Sequence, residues 1–227
     1  MQSSSVPTFD DLLRLAEAHG EPALDPRRER KRSRILSAAT QLFIQHGYRR
    51  ASLDDVAARA GVAKGTVYLY FPSKADLLVA ALQSERLRIL QDFEPVFRDG
   101  LQGAERLETW LFTVLQSISK LPLSRRLLQG DHEIAAVLDD LDEDLVRQML
   151  DLKVGFLAAF VAEARGRSEP NDEDRTTAQV LIGVFQSSGF FYDEELALGL
   201  DRDTFHRHIV GMLVAGITNG SPVPEAP

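Results

Sequence analysis

From Arg27 onward, apolar residues recur at helical spacing, and the polar residues between them mark where helices start and stop. Ile35, Leu36, Ala39, Leu42 and Phe43 fall at i, i+1, i+4, i+7 and i+8, one face of a long helix. Gly47, in the His46-Gly47-Tyr48 step, is expected to end that helix with a left-handed cap. Ser52 followed by Asp55 reads as a capping box that opens a second helix, with Leu53, Val56, Ala57 and Ala60 as its buried stripe. Gly61 makes a turn into a short helix from Lys64 to about Tyr70. Pro72 stops it, because the residue before proline avoids the α region. Ser73 and Asp76 repeat the cap, and Leu77, Leu78, Ala81, Leu82 and Ile89 carry a fourth helix limited by Pro95.

The rest of the chain keeps this period. Leu107, Trp110, Leu111, Val114, Leu115 and Ile118 fit one helix, broken at Pro122. Leu145, Met149, Leu152, Phe156 and Phe160 fit a longer one ending near Gly166, and another starts at Asn171. A last helix runs from Asp203 to about Thr218, before a SPVPEAP tail whose composition predicts disorder. Upstream, Phe9, Leu12, Leu13 and Leu15 fit one short amphipathic helix ahead of the Gly20/Pro22/Pro26 breakers. With no repeat and no strand pattern, the expected fold class is all-α. The expected organisation is an N-terminal extension over 1–26, a three-helix helix-turn-helix domain over 27–78 and a larger helical domain over 79–218. The linking helix continues to about 94, and 219–227 is a tail.

Charge changes this picture. Between Arg27 and Arg86 there are 12 Lys/Arg and 5 Asp/Glu, a balance of +7. The remaining residues hold 14 basic and 29 acidic groups, so a chain of net charge −8 carries one strongly basic segment. Such asymmetry predicts that one part meets a polyanion while the acidic remainder is repelled by it. The run Arg27, Arg28, Arg30, Lys31, Arg32 and Arg34 is open to two readings, a solvated arm or a contact to phosphates or the minor groove. With no cysteine, disulfide scaffolds, thiolate metal sites and cysteine nucleophiles are excluded. No apolar run reaches the roughly 18 residues that cross a bilayer, and the start lacks a signal-peptide pattern, so a cytoplasmic protein without membrane contact is expected.

The residues around the turn between the second and third helices carry chemistry. In a helix-turn-helix one helix braces against the DNA backbone and the next enters the major groove. Lys64, Gly65 and Thr66 open the entering helix, and the glycine permits close backbone approach. Tyr68 and Tyr70 bring hydroxyl donors, while Ser52 and Lys74 stand at the two flanking helix N-termini, where amides also favour phosphate. The run from Ile35 to Leu78 resembles the N-terminal domain of the TetR family of transcriptional repressors. The motifs that carry the likeness are the His-Gly-Tyr step, Ser-Leu-x-x-Val-Ala, and Gly-Val-x-x-Gly-Thr-Val-Tyr-x-Tyr-Phe followed by Ser-Lys-x-x-Leu.

The resemblance implies a homodimer whose two reading helices enter successive major grooves of a pseudo-palindromic operator in double-stranded DNA. It places Ser52, Tyr68 and Lys74 on phosphates, Lys64, Gly65 and Thr66 at bases and nearby backbone, and Leu69 and Tyr70 within reach of the groove. Ala51 departs from the threonine common in the family, and Arg49 and Arg50 are expected to compensate as phosphate ligands. Phe71 is expected to fill the small core.

The resemblance also implies that the C-terminal domain binds an effector and forms the dimer. Gly183, Ser187, Met212, Ala215 and Gly216, with Ser188, Gly189 and Gly211 nearby, suit close helix approach at a dimer interface; an intramolecular helix contact is the alternative. Trp110, Phe112, Phe156, Phe160 and Phe185, with Phe190 and Phe191, suggest as a group an apolar or aromatic effector, although an aromatic stripe is more often core. Asp131, Glu133, Asp139 and Asp140 are open to two readings, a cation site or the favoured solvated face, and His132 beside Glu133 is a weak lead. His206 and His208 point to different sides of a helix, so no metal and no cofactor is expected. No Glu-x-x-His pair, phosphate loop or nucleophile constellation supports an enzyme. The leading expectation is a ligand-responsive repressor. An activator on the same fold and an interaction module that has lost operator binding are the alternatives.

Overall fold

The structure, a computed structural model, describes residues 6–17, 25–98, 100–139, 143–187 and 199–220. Eleven α-helices occur among them, and no strand: α1 (Phe9–Glu17), α2 (Pro26–Arg50), α3 (Leu53–Ala60), α4 (Lys64–Tyr70), α5 (Lys74–Arg88), α6 (Gly103–Ile118), α7 (Pro122–Leu128), α8 (His132–Asp139), α9 (Glu143–Ala164), α10 (Asp172–Ser187) and α11 (Arg202–Thr218). A 3-10 segment, Leu90–Phe97, follows α5 and contains Pro95. The linking helix therefore stops at Arg88, short of the expected 94. Pro95 removes a backbone donor, and the chain tightens into i→i+3 turns instead. The expected tail beyond Gly220 lies outside the described residues.

Two compact units emerge, one built from residues 16–89 with 120–142 and the other from 1–15, 90–119 and 143–227. The expected border at residue 78/79 does not divide them, because α5, α7 and α8 pack with the helix-turn-helix. In that first unit Ile35, Ala39 and Phe43 of α2, Val56 of α3, Val67 of α4, Leu77 and Leu78 of α5, and Leu123 and Ile134 of α7 and α8 are all at or below 1% exposed. Phe71 is buried in the same core, as the sequence suggests. Asp25 caps α2 through the amides of Arg27 and Arg28, and Pro26 occupies the first turn, where its missing N–H costs nothing.

Gly47 does not form the left-handed cap its sequence context suggests. Its φ of 80° and ψ of 163° lie in a region open essentially to glycine alone, and helical geometry resumes on both sides. Arg126 closes this kink from α7, donating to the carbonyls of Phe43 at 2.7 Å and Ile44 at 3.2 Å. Asp131 holds the same guanidinium at 2.7 Å. The helix expected to be broken at Pro122 does end before it, α6 stopping at Ile118, and Pro122 itself starts α7 at its first position. The N-terminal amides of α7 are met by Glu85, a fully buried carboxylate that accepts from Leu123 N and Ser124 N at 2.9 Å and from Ser124 Oγ at 3.0 Å.

The second unit stacks α6, α9, α10 and α11, with Leu107, Leu111, Leu115, Phe160, Val161, Ala178 and Val210 in its core. Phe93, Phe97, Trp110, Phe156 and Phe160 form a ring cluster, with the Phe93–Trp110 centroids 4.7 Å apart, and Phe9 of α1 lies against Phe97 at 5.6 Å. Asp174, fully buried, receives Arg165 at 2.8 Å and both Arg167 and the Asn171 amide at 3.1 Å, while Arg165 also reaches the Ile217 carbonyl. Burial pushes the Asp174 carboxyl up, but these donors, led by Arg167, outweigh it and hold the group below the usual aspartate range.

Candidate nucleic-acid interface

The helix-turn-helix is assembled by local caps. Ser52 Oγ accepts from Asp55 N at 3.1 Å and opens α3, and Gly61, at φ 64° and ψ 44°, closes it in the left-handed region. Arg34 then pins the turn from α2, donating to the carbonyls of Ala60 and, at 3.0 Å, Gly61. The basic run is thus not a free arm throughout. Its last member is a structural clasp, and Arg32 lies over the Phe71 ring at 5.4 Å.

The reading helix α4 divides sharply by exposure. Val67 is sealed in the core and Phe71 follows it inward, whereas Tyr68 is 47% and Leu69 79% exposed. A solvent-facing leucine beside a tyrosine on a seven-residue helix has no role in its own unit's core. Gly65 has open space where a Cβ would stand, Thr66 and Tyr70 are half-buried, and Lys64 is exposed. Lys64 pairs with Asp54 at 2.8 Å, and that carboxylate holds the ammonium above its ordinary pKa. A phosphate would compete with Asp54 for the same charge.

The flanking positions converge on one shoulder. Lys74 donates to the Arg49 carbonyl at 3.1 Å and stands 4.4 Å from the Tyr48 ring centroid. Partial burial pushes its pKa down, against the pull of Glu133. The Arg49 amide donates to Glu133 at 2.9 Å, and the Arg50 guanidinium folds onto the His46 carbonyl at 2.9 Å. Ser52, Arg49, Arg50 and Lys74 therefore cluster at the entry to α3 and α5.

Asp131 and Glu133 were expected on a solvated face, and both instead make the contacts that brace this shoulder. The pairing of Glu133 with the Arg49 amide, across 84 residues, leaves no local sequence mark. Glu85 did leave one, since it continues the apolar stripe of Leu78, Ala81 and Leu82 as a lone carboxylate.

In the second unit, Trp110, Phe156 and Phe160 pack ring on ring at 5.2 to 5.3 Å. Phe112 carries Arg207 over its face at 5.3 Å, and Phe185 is half-buried on α10. A cleft of about 580 Å³ is lined by Val6–Asp10, Phe97, Arg98, Gly100, Gln102, Arg106 and Glu163, none of them among the five expected pocket aromatics. Val180, Val184 and Met212 are exposed, beside half-buried Gly183 and exposed Ala215 and Gly216. The side chain of Ser187, and Ser188, Gly189, Phe190 and Phe191, lie outside the described residues, as do the side chain of Asp139 and all of Asp140. His206 is buried and His208 exposed, and no group of metal-ligating side chains occurs among the described residues. Among the same residues, no helix is long and apolar enough to cross a membrane.

Comparison with known proteins matches this geometry. A family model described as bacterial regulatory proteins, tetR family, covers residues 35–81. The HTH-type transcriptional repressor KstR of Rhodococcus jostii (strain RHA1) is 32% identical over 163 residues, 70% of this chain and 70% of that protein. The HTH-type transcriptional activator FasR of Mycolicibacterium smegmatis is 34% identical over 107 residues, 44% of this chain and 49% of that protein. The regulator FadR from Bacillus subtilis, solved in complex with stearoyl-CoA, shares the fold with a TM-score of 0.55 at 23% identity, over 81% of this chain and 98% of that one.

Proposed function

The chain belongs to the TetR family of bacterial regulatory proteins and is a DNA-binding transcriptional regulator; from that premise we propose that it is a homodimeric repressor which releases its operator when a long apolar effector enters its C-terminal unit. The observation that carries the effector class is the ring cluster of Phe93, Phe97, Trp110, Phe156 and Phe160. Packed rings of this kind offer an alkyl chain the apolar area it needs and ask no hydrogen bonds of it. The stearoyl-CoA held by the FadR of similar fold supports the same class.

The homodimer rests on the faces of α10 and α11. Val180, Gly183 and Val184 recur at helical spacing on one, and Met212, Ala215 and Gly216 on the other, so each helix presents small and apolar groups to solvent. Two copies related by a two-fold axis would cover both stripes at once. In the dimer, Ser52, Tyr68 and Lys74 hold phosphates, while Lys64, Gly65, Thr66, Leu69 and Tyr70 meet the groove.

Effector action needs no chemistry. A ligand that favours the non-binding arrangement lowers DNA affinity by its differential binding free energy, and a hundredfold release corresponds to about 2.7 kcal/mol. The test is fluorescence anisotropy of a labelled duplex from the gene's own upstream region, with stearoyl-CoA as probe and Trp110, the one tryptophan of the chain, as the reporter of binding. Release of DNA together with a shift in Trp110 emission is expected. A Trp110 response without release refutes the repressor mechanism, and no response to acyl chains refutes the effector class. The match to FasR favours a second reading, activation by the same DNA grip. Transcription from the bound promoter in vitro, raised or lowered by the protein, separates the two.

A further inference from the structure

The first two turns of α2 hold a charged surface that the helix-turn-helix does not use. Residues 27–34 carry six Lys or Arg and one acid, while the rest of the chain holds 20 basic and 33 acidic groups. Two of the six are spent inside the unit, Arg34 on the Ala60 and Gly61 carbonyls and Arg32 over Phe71. The other four, Arg27, Arg28, Arg30 and Lys31, are exposed and have no acidic partner among the described residues.

The two spent arginines fix where the four stand. Arg34 touches the turn that leads into α4, and Arg32 touches the residue that ends it, so this stretch of α2 runs beside the reading helix. Arg27, Arg30, Lys31 and Arg34 recur at i, i+3, i+4 and i+7, a single stripe about 10 Å long that leaves the turn at Gly61. That length spans about three base pairs of duplex, where phosphate charge recurs every 1.7 Å or so of axis. Ordinary solubility does not call for this run, because the acidic remainder already keeps the net charge far from zero.

We propose that Arg27, Arg28, Arg30 and Lys31 form a second DNA-contact surface, which grips backbone phosphates flanking the half-site read by α4. The inference rests on the DNA-binding reading of α3 and α4 but lies outside the matched family segment, which begins at residue 35. The partner is the phosphate backbone of duplex DNA. The α2 N-terminal amides are not the ligand, since Asp25 already accepts from those of Arg27 and Arg28. Contact runs through the guanidinium and ammonium groups, so it adds affinity and salt dependence without adding sequence preference.

The experiment measures binding of the full-length protein across a salt series to two duplexes from its upstream region, one trimmed to the footprinted half-sites and one with several extra base pairs at each end. The proteins compared are wild type, a quadruple variant with Arg27→Gln, Arg28→Gln, Arg30→Gln and Lys31→Gln, and a charge-keeping variant with the three arginines changed to lysine. Each neutralised phosphate contributes about 0.9 to the slope of log K against log salt, so the wild type should show a steeper slope on the longer duplex by about 0.9 for every flanking phosphate it grips. The glutamine variant should lose that difference while keeping its melting temperature and its affinity for the trimmed duplex, and the lysine variant should retain it. Equal slopes for wild type and glutamine variant on the long duplex overturn this inference alone. Wild-type protein that binds the trimmed duplex no more tightly than a scrambled duplex of the same length overturns the operator-reading role of α3 and α4, and this inference with it.

Discussion

Changing Gly65 to alanine should separate stability from DNA affinity. Gly65 is the second residue of α4, inside a regular helix, exposed, and with nothing within 4 Å of where a Cβ would stand. Nothing in the free protein therefore opposes a methyl group there. Glycine is worse than alanine in a helix by up to about 1 kcal/mol, and near the end of a short helix about half of that is realistic. Gly65→Ala should then stabilise the protein by about 0.5 kcal/mol, a rise of about 1 to 2 °C in melting temperature for a chain of this size. If the backbone at Gly65 closes against DNA, the same methyl group occupies the space the duplex needs. Overpacking of a close contact costs about 1 to 3 kcal/mol, a fall in operator affinity of between about five- and two-hundredfold. The two measurements are thermal melting of the free protein and anisotropy with a labelled operator at fixed salt. A variant that melts higher yet binds DNA as well as wild type would refute the close approach. One that melts lower would refute the account of α4 itself.

Other substitutions probe the supports of the same surface. Gly47→Ala should cost about 1 to 3 kcal/mol from backbone strain alone, since the nearest atom to the new Cβ, Glu133 Oε2, stays at an ordinary 3.4 Å; urea denaturation reads it. Glu85→Ala strands the buried Leu123 amide and should cost about 1 to 3 kcal/mol or more, whereas Glu85→Gln, which keeps one acceptor, should cost less. Lys74→Met should reduce the salt slope of operator binding by about 0.9 for each phosphate that Lys74 neutralises, with little change in melting temperature. Asp174, held below the ordinary carboxylate range when folded, contributes stability that is present above its unfolded pKa of about 3.9 and lost as pH falls through the folded value. Asp174→Asn should therefore be less stable than wild type near neutrality, and the gap should close in acid; a constant gap across that range would contradict the ion-pair origin.

What the sequence made legible was whatever is written within one or two helical turns. The stripes of α2, α3 and α5 have nearest-neighbour signatures, as do the Ser52 and Ser73 caps, the Gly61 turn and the exposed positions of α4. The helices of the second unit followed from period as well. Three features were not legible, for one physical reason. The backbone groups that Arg126, Glu133 and Glu85 hold lie 38 to 84 residues away, so although its place in an apolar stripe marks Glu85 for burial, what each side chain meets depends on packing rather than on local pattern. Read alone, Glu133 is one acid among several, and Pro122 is a stop. In the folded unit Pro122 begins a helix because its fixed φ suits the first turn, and Glu133 is drawn in by the Arg49 amide beside the glycine kink.

Those long-range contacts also constrain how an effector can act. The chain passes between its two units after Leu15, Ile89, Ser119 and Asp142. Glu85 stands four residues before the second passage, and the amides it holds, Leu123 and Ser124, stand just after the third. A single buried carboxylate thus ties the outgoing end of α5 to the returning start of α7. From α7, Arg126 reaches the Phe43 and Ile44 carbonyls, and from α8, Glu133 reaches the Arg49 amide, whose own carbonyl holds Lys74. Lys74 opens α5, so the path returns to the helix that carries Glu85 and closes on itself. Interiors packed in this way shift between discrete arrangements rather than deforming smoothly. A displacement of α5 or α7 at these passages must then move the Arg49–Lys74 shoulder as a body, or else break the Glu85 contacts at the cost of stranding a buried charge.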